Sequence, residues 1–251
     1  MLAHVITAAN RALYGRLLTA IYRQRHDIFV VRKRWNLTSH NGLERDAYDD
    51  AEDVVYMAVV DDAGELVGSQ RFLPGDKPNV SNGPLRGFWD KPPPRGPDAW
   101  EVSRTVVARD WDWPDFAECC AALGAGEIEW AMGRGIRTIF GVGDARFVGA
   151  MVQLGWDVEM HGLAREYPEG GRGVAVSWPI TLETLKRSRA SYGFERVFCY
   201  EAPPQLEARD MEPHEFAYLA AVTECDAPAA RRHVLDAWVS HDALAVSTAA
   251  E

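Results

Sequence analysis

Two kinds of apolar spacing alternate along the chain. Residues 54–61, VVYMAVVD, and 66–74, LVGSQRFLP, are short runs rich in β-branched and aromatic side chains, and the DAG between them predicts a β-hairpin. Leu13, Leu17, Ile21 and Ile28 fall instead near the helical period, which predicts a helix through residues 10–30 with Asn10 as its N-cap. Further strands are predicted over 2–7, 99–108, 137–143, 157–162 and 174–181. A helix led by Asp112–Pro114 carries Phe116, Cys119, Cys120, Leu123 and Trp130 along one stripe. Two more helices are predicted over 145–156, closed by Gly155, and over 181–192.

Residues 35–53 are polar and aperiodic, and 75–98 are rich in Pro and Gly, so both read as long loops. Loops of that length in a compact chain are usually functional. The order β-α-loop-β-β-loop-β-α-β-α-β describes an α/β (α+β) sandwich with a mixed sheet rather than a doubly wound one. Beyond residue 201 the chain turns acidic, with Pro203, Pro204, Pro213 and Pro228 and one amphipathic helix over roughly 228–239. The division expected is a main domain over 1–200 and a C-terminal helical appendage over 201–251.

Composition narrows the function classes. The 251 residues are 47% hydrophobic, enough for one large core. A net charge of −10 argues against a general nucleic-acid binder, which would show a basic stripe. The four cysteines, Cys119, Cys120, Cys199 and Cys225, form no CxxC pair, and the seven histidines form no HExxH pair, so no metal is expected. Buried free thiols suit a reducing cytoplasm. No run reaches the roughly 18 apolar residues of a membrane span, and the first residues lack a leader pattern. A soluble cytoplasmic protein is the expectation.

The candidate chemistry begins with WEVSR at 100–104, a strand segment that carries an acid, a hydroxyl and a guanidinium. On a regular strand Glu101 and Ser103 share a face and Arg104 points the other way. A bulge near 102–104 would bring all three to one cleft; the plainer reading is an edge strand with a surface ion pair. The loop ahead of it places Arg25, Phe29 and Trp35 before Glu44, Asp46 and Asp49, a set suited to a flat cationic ligand or, equally, to a solvated acidic loop. The glycines of GVGDARFVG (141–149) open a helix and give a weak anion-site signal.

In this order and spacing, Arg25, Phe29, Trp35, Asp46, Asp49, Arg71, Glu101 and Arg104 resemble the acyl-homoserine lactone synthases, the autoinducer synthases of bacterial quorum sensing. The resemblance covers about residues 1–180, is densest before 105, and looks most like the acyl-CoA-using branch. It implies a fold like the GCN5-related N-acetyltransferases: a three-layer sandwich whose twisted mixed sheet has helices on both faces and a V-shaped splay between central strands. It also implies a reaction in which the amine of S-adenosylmethionine attacks an acyl thioester, acyl-CoA or acyl-carrier protein, and lactone closure releases methylthioadenosine. No permanently bound cofactor is implied.

Within that resemblance Glu101 is the candidate base, Ser103 orients the amine or a water, and Arg104 and Arg71 hold the cleft by pairing with Asp46 and Asp49. Arg25, Phe29 and Trp35 line the adenosylmethionine pocket. Phe72, Trp100, Val142, Phe147 and Met151 line the acyl chain, with Gly141 and Gly143 leaving it room. The partners are small-molecule substrates, with an acyl-carrier protein as the other donor. Two alternatives remain beside this reading: a plain GCN5-like acetyltransferase using acetyl-CoA, and a degenerate relative that only binds ligand.

Overall fold

The computed structural model describes residues 1–61, 64–107, 114–168 and 170–202. Outside the described residues lie most of the DAG turn, Asp112, Cys225 and the helix expected over 228–239.

The strand β4 (Val55–Val60) shows how the sequence builds a buried sheet. Its odd positions, Val55, Met57 and Val59, join one apolar cluster, while Tyr56, Ala58 and Val60 join another on the opposite face. A strand apolar on both faces must be covered on both. It pairs antiparallel with β1 (Leu2–Ile6) on one side and β5 (Leu66–Pro74) on the other. β6 (Ala99–Val107) continues the sheet antiparallel to β5. β7 (Thr138–Asp144) then runs parallel to β6 and antiparallel to β10 (Arg172–Pro179).

Four strands, at 39–40, 43–44, 165–166 and 199–200, lie beyond those expected. The two-residue β2 (Ser39–His40) and β3 (Leu43–Glu44) form a separate small hairpin. β8 (Glu159–Met160) is shorter than its expected span, and with β9 (Arg165–Glu166) it pairs with β10. β11 (Cys199–Tyr200) lies parallel to β1 at the far edge. The main sheet has nine strands among the described residues, in the order β11-β1-β4-β5-β6-β7-β10-β8 with β9 also on β10.

Helices cover both faces. α2 (Phe116–Gly133) makes the β6-to-β7 crossover that a parallel pair requires. With α3 (Ala145–Gln153) and α4 (Leu182–Tyr192) it packs over the cluster that contains Val55, Phe72, Ile139 and Val176. α1 (Gly15–Arg25) covers the other face through Leu17 and Ile21. This is the three-layer sandwich with a mixed sheet that the resemblance implied.

Two local readings change. Asn10 does not cap α1, which begins at Gly15 after a 3-10 turn over Arg11–Tyr14. Its amide instead donates to the Val5 and Ala202 carbonyls, tying the chain start to residue 202. The helix also does not run on regularly to 30: from His26 to Arg32 it widens to a π-helix, which carries Phe29.

The site rests on two departures from a regular sheet. Arg71 pairs with Ser103 and Ser69 with Val106, so two residues of β6, Arg104 and Thr105, face Gln70 alone. That is a β-bulge, and Arg104 takes a left-handed φ of 55° there. Beyond it, β6 and β7 pair only from Ala99–Thr138 to Glu101–Phe140. Both strands continue for several residues unpaired with each other, which opens the splay.

Candidate active site

Three arginines and three acids meet between the π-helix, the first long loop and the β6 bulge. Arg25 donates from Nη1 and Nη2 to the two oxygens of Asp49, each at 2.8 Å, and from Nε to Glu44 Oε2 at 2.5 Å. Arg71 donates from Nη1 to Asp46 Oδ1 at 2.6 Å and Asp49 Oδ1 at 2.9 Å, and from Nε to Ser103 Oγ at 3.2 Å. Arg104 Nη2 spans Glu44 Oε1 and Asp46 Oδ2, both at 3.0 Å. Tyr56 adds a hydroxyl donor to Asp49 Oδ1 at 2.7 Å.

The aperiodic loop is folded tightly enough to deliver these acids. Asn41 and Gly42, both at positive φ, make the two-residue turn that joins β2 to β3 and places Glu44. Asp46 then caps a 3-10 turn (Ala47–Asp50) through the Tyr48 N–H, while Asp49 Oδ2 accepts from the Asp46 N–H in return. This reciprocal capping box aims both carboxylates at the sheet.

Burial separates the members into a back and a front. Arg25, Glu44, Asp49 and Arg71 are inaccessible, whereas the side chains of Asp46 and Arg104 keep 19% and 12% of their surface. Burial alone would raise the Asp49 carboxyl, but the Arg25 hydrogen bonds and the Arg71 charge outweigh it and hold the carboxyl well below the ordinary range. Arg25 sits behind the acids and orients them. Each acid is matched by guanidinium, and Asp46 is the one of the three that keeps an accessible face. One donor is left over. Arg71 Nη2 is buried with no partner among the described residues.

An aromatic wall flanks the network. Phe29 stacks on Trp35 at 5.3 Å, Trp35 meets Tyr167 at 5.2 Å, and Tyr167 meets Phe88 at 4.9 Å. The Arg104 guanidinium lies over Phe29, and Lys33 Nζ lies 4.9 Å from the Trp35 ring centre.

Glu101, only 1% exposed, takes an additional role that the sequence did not suggest. Its Oε2 accepts from the Val80 N–H at 2.9 Å and its Oε1 from the Ser81 N–H at 2.5 Å. The carboxylate therefore anchors the Pro- and Gly-rich loop to β6. Burial raises its pKa, partly offset by those donors.

The expected acyl-chain residues divide across the sheet. Phe72 and Met151 are buried in the cluster under α2, against which Trp100 also packs, and Phe72 and Trp100 both meet the Trp130 ring. Val142 packs on the other side beside Phe140 and Tyr167. Phe147 is 48% exposed on α3. Helical rotation from the buried Val148 turns it outward. Gly141 stands at the apex of the splay, where a Cβ would come within 2.5 Å of the Val102 carbonyl oxygen.

A family profile described as autoinducer synthase matches residues 11–176. An acyl-homoserine-lactone synthase of Rhizobium etli is 30% identical over 178 residues, 70% of this chain and 83% of the relative. An isovaleryl-homoserine lactone synthase of Bradyrhizobium diazoefficiens is 39% identical over 114 residues, 43% of this chain and 49% of that one. The solved structure of BjaI, a CoA-dependent acyl-homoserine lactone synthase with SAM and isopentyl-CoA, superposes with a TM-score of 0.73 at 29% identity, covering 82% of this chain and 96% of BjaI. MesI, another CoA-dependent synthase, gives 0.70 at 28% identity, with 78% and 98% covered. The chain belongs to the autoinducer synthase family, and its relatives are acyltransferases.

Proposed function

We propose that this enzyme is an acyl-homoserine lactone synthase that takes its acyl group from acyl-CoA in the cytoplasm and hands it to S-adenosylmethionine. The observation that carries the reading is the meeting of the arginine–carboxylate network with the β6 bulge at the mouth of the splay. The network supplies a fixed polar wall, and the splay supplies a path for a thioester. Residues 1–200 hold all of this, with 201–251 as an appended segment. No bound cofactor is needed, because adenosylmethionine and the thioester carry the leaving groups themselves.

The chemistry assigns the residues as follows. Arg71 Nη2, the buried donor without a partner, holds the carboxylate of the methionine part. Asp46 and Arg104, the accessible members of the network, face the substrate, with Asp49, Glu44 and Arg25 fixing them from behind. Phe29 and Trp35 wall the sulfonium side. Glu101 takes a proton from the substrate ammonium, using lone pairs that Val80 and Ser81 leave open, and Ser103 orients the amine.

The free amine attacks the thioester carbon, and backbone N–H groups at the bulge stabilise the oxyanion. Collapse forms the amide and expels CoA thiolate, which takes up a proton. The methionyl carboxylate then attacks the carbon bonded to sulfur and displaces methylthioadenosine, a neutral leaving group. Mass spectrometry of purified enzyme with adenosylmethionine and a panel of acyl-CoAs tests the reading. Methylthioadenosine with an acyl-homoserine lactone is the expected product pair. Product with acyl-carrier protein alone would overturn the donor, and no product with either donor would overturn the synthase.

A further inference from the structure

Lys33 is a cation outside the arginine–carboxylate network. It stands where the π-helix ends: its backbone N–H donates to the Ile28 carbonyl, and the Trp35 N–H donates to the Phe29 carbonyl. Between them Arg34 takes a left-handed φ of 58°. This reversal brings both neighbouring side chains to Phe29. Trp35 stacks on it, and the Lys33 ammonium lies 4.9 Å from the Trp35 ring centre and 5.4 Å from that of Phe29. Among the described residues no carboxylate pairs with the ammonium and no oxygen accepts from it. Its three N–H donors are left for solvent or a ligand.

The sheet fixes where this cation sits. β6 and β7 run parallel and pair only from Ala99–Thr138 to Glu101–Phe140, so the gap between them widens toward Val107 and Asp144. Tyr167, which meets Trp35, reaches the Val142 carbonyl with its hydroxyl and abuts Gly173, itself level with Asp144. The aromatic wall therefore ends at the open end of the gap. Lys33 stands there, near enough to feel the charges of Asp144, Arg146 and Arg32. Both Asp144 oxygens accept from the Arg146 guanidinium, so that pair cancels and Lys33 does not.

A sulfonium gains nothing from a second cation at the Phe29–Trp35 wall, whereas an anion does. The other substrate supplies one. With the acyl carbon at the bulge, the arm of the donor leaves through the widening gap and passes this rim. Counted from the thioester, the first charge along that arm is the phosphate that esterifies pantetheine.

We propose that Lys33 binds this phosphate and so selects phosphopantetheine thioesters as acyl donors. The inference rests on the acyl-transfer reading above. CoA and the arm of a carrier protein share the group, so the contact serves either source. The aromatic faces hold the ammonium in place without neutralising it, and charge-assisted hydrogen bonds to phosphate are strong. The competing role is packing alone, with the lysine stem covering the rings.

The test compares kcat/KM for one acyl group carried on CoA, on phosphopantetheine and on pantetheine, in the wild type, Lys33→Met and Lys33→Arg. Methionine keeps the stem and removes the charge. Lys33→Met is expected to lose about tenfold with the two phosphorylated donors and nothing with acyl-pantetheine, while Lys33→Arg stays near wild type on all three. Equal losses on all three donors would assign Lys33 to packing and overturn the inference. A loss on acyl-CoA alone, or a change confined to KM for adenosylmethionine, would overturn it as well. Acyl-carrier protein run beside acyl-CoA shows which source the wild type prefers, and no loss with the preferred one sinks the proposal. Absence of lactone from every donor overturns the synthase and this inference together.

Discussion

Arg25 and Asp49 are joined by two parallel hydrogen bonds of 2.8 Å, both side chains out of reach of solvent. The pair ties the end of α1 to the capping box, and through Asp49 it reaches Arg71 on the central sheet. Removing one partner would strand the other charge in a dry site. Arg25→Met is therefore expected to cost about 3–5 kcal/mol of stability, read from urea denaturation. Arg25→Lys should recover little, because an ammonium does not present the planar fork that spans both oxygens. A near-wild-type midpoint for Arg25→Met would mean that the network contributes no net stability.

Glu101 holds a loop and is the proposed proton acceptor, and one variant separates the roles. Glu101→Gln keeps a carbonyl for one of the Val80 and Ser81 N–H groups and turns an N–H toward the other. If Glu101 takes the proton, kcat should fall by about 100-fold or more, with KM for acyl-CoA little changed. If it acts through the loop alone, KM should rise and kcat recover at saturation. Steady-state kinetics in acyl-CoA tells them apart.

Gly141 tests whether the splay tolerates any side chain at its apex. The obstacle there is the Val102 backbone oxygen at 2.5 Å, which has no rotamer to change. Gly141→Ala should lower stability by about 1–3 kcal/mol and displace β6 from β7. At Gly143 the nearest atom is the Val148 side chain at 3.2 Å, so Gly143→Ala should be milder. Equal melting temperatures for the two variants would contradict this ordering.

Glu127, buried on α2 and accepting hydrogen bonds from Trp178 and Gln70, predicts a slope in stability with pH. Its folded pKa, about 8, lies above the ordinary value of 4.5, so between those limits the folded state keeps a proton that the unfolded state releases. The contribution is complete below about 4.5 and declines as pH rises toward 8, by up to about 1.4 kcal/mol per pH unit. Glu127→Gln should flatten that part of the profile. An unaltered profile in the variant would show that Glu127 is charged in the folded protein.

The sheet was legible because its strands are apolar on both faces, as Val55–Val60 illustrates, and because turn residues punctuate them. The site was legible in part, through spacing and a resemblance. Its finer logic was not, for identifiable reasons. Asn41-Gly42 is a strong hairpin signal, yet strands of two residues give no periodicity to confirm it. Glu44 looked like one acid among several, since only the folded loop brings it to Arg25 and Arg104. The exposure of Phe147 was not legible because hydrophobicity says nothing of which way a helical residue faces. The pairing of β11 with β1 is a contact between chain positions nearly 200 apart, and two residues of sequence cannot announce it. The bulge at Arg104 was anticipated only as one of two readings of WEVSR.

At a distance the three guanidiniums and three carboxylates of the site cancel. Solvent therefore sees no monopole there, and the −10 of the chain resides in its other groups. A cation beside it that the network does not cancel is Lys33, whose Nζ lies against the Trp35 ring.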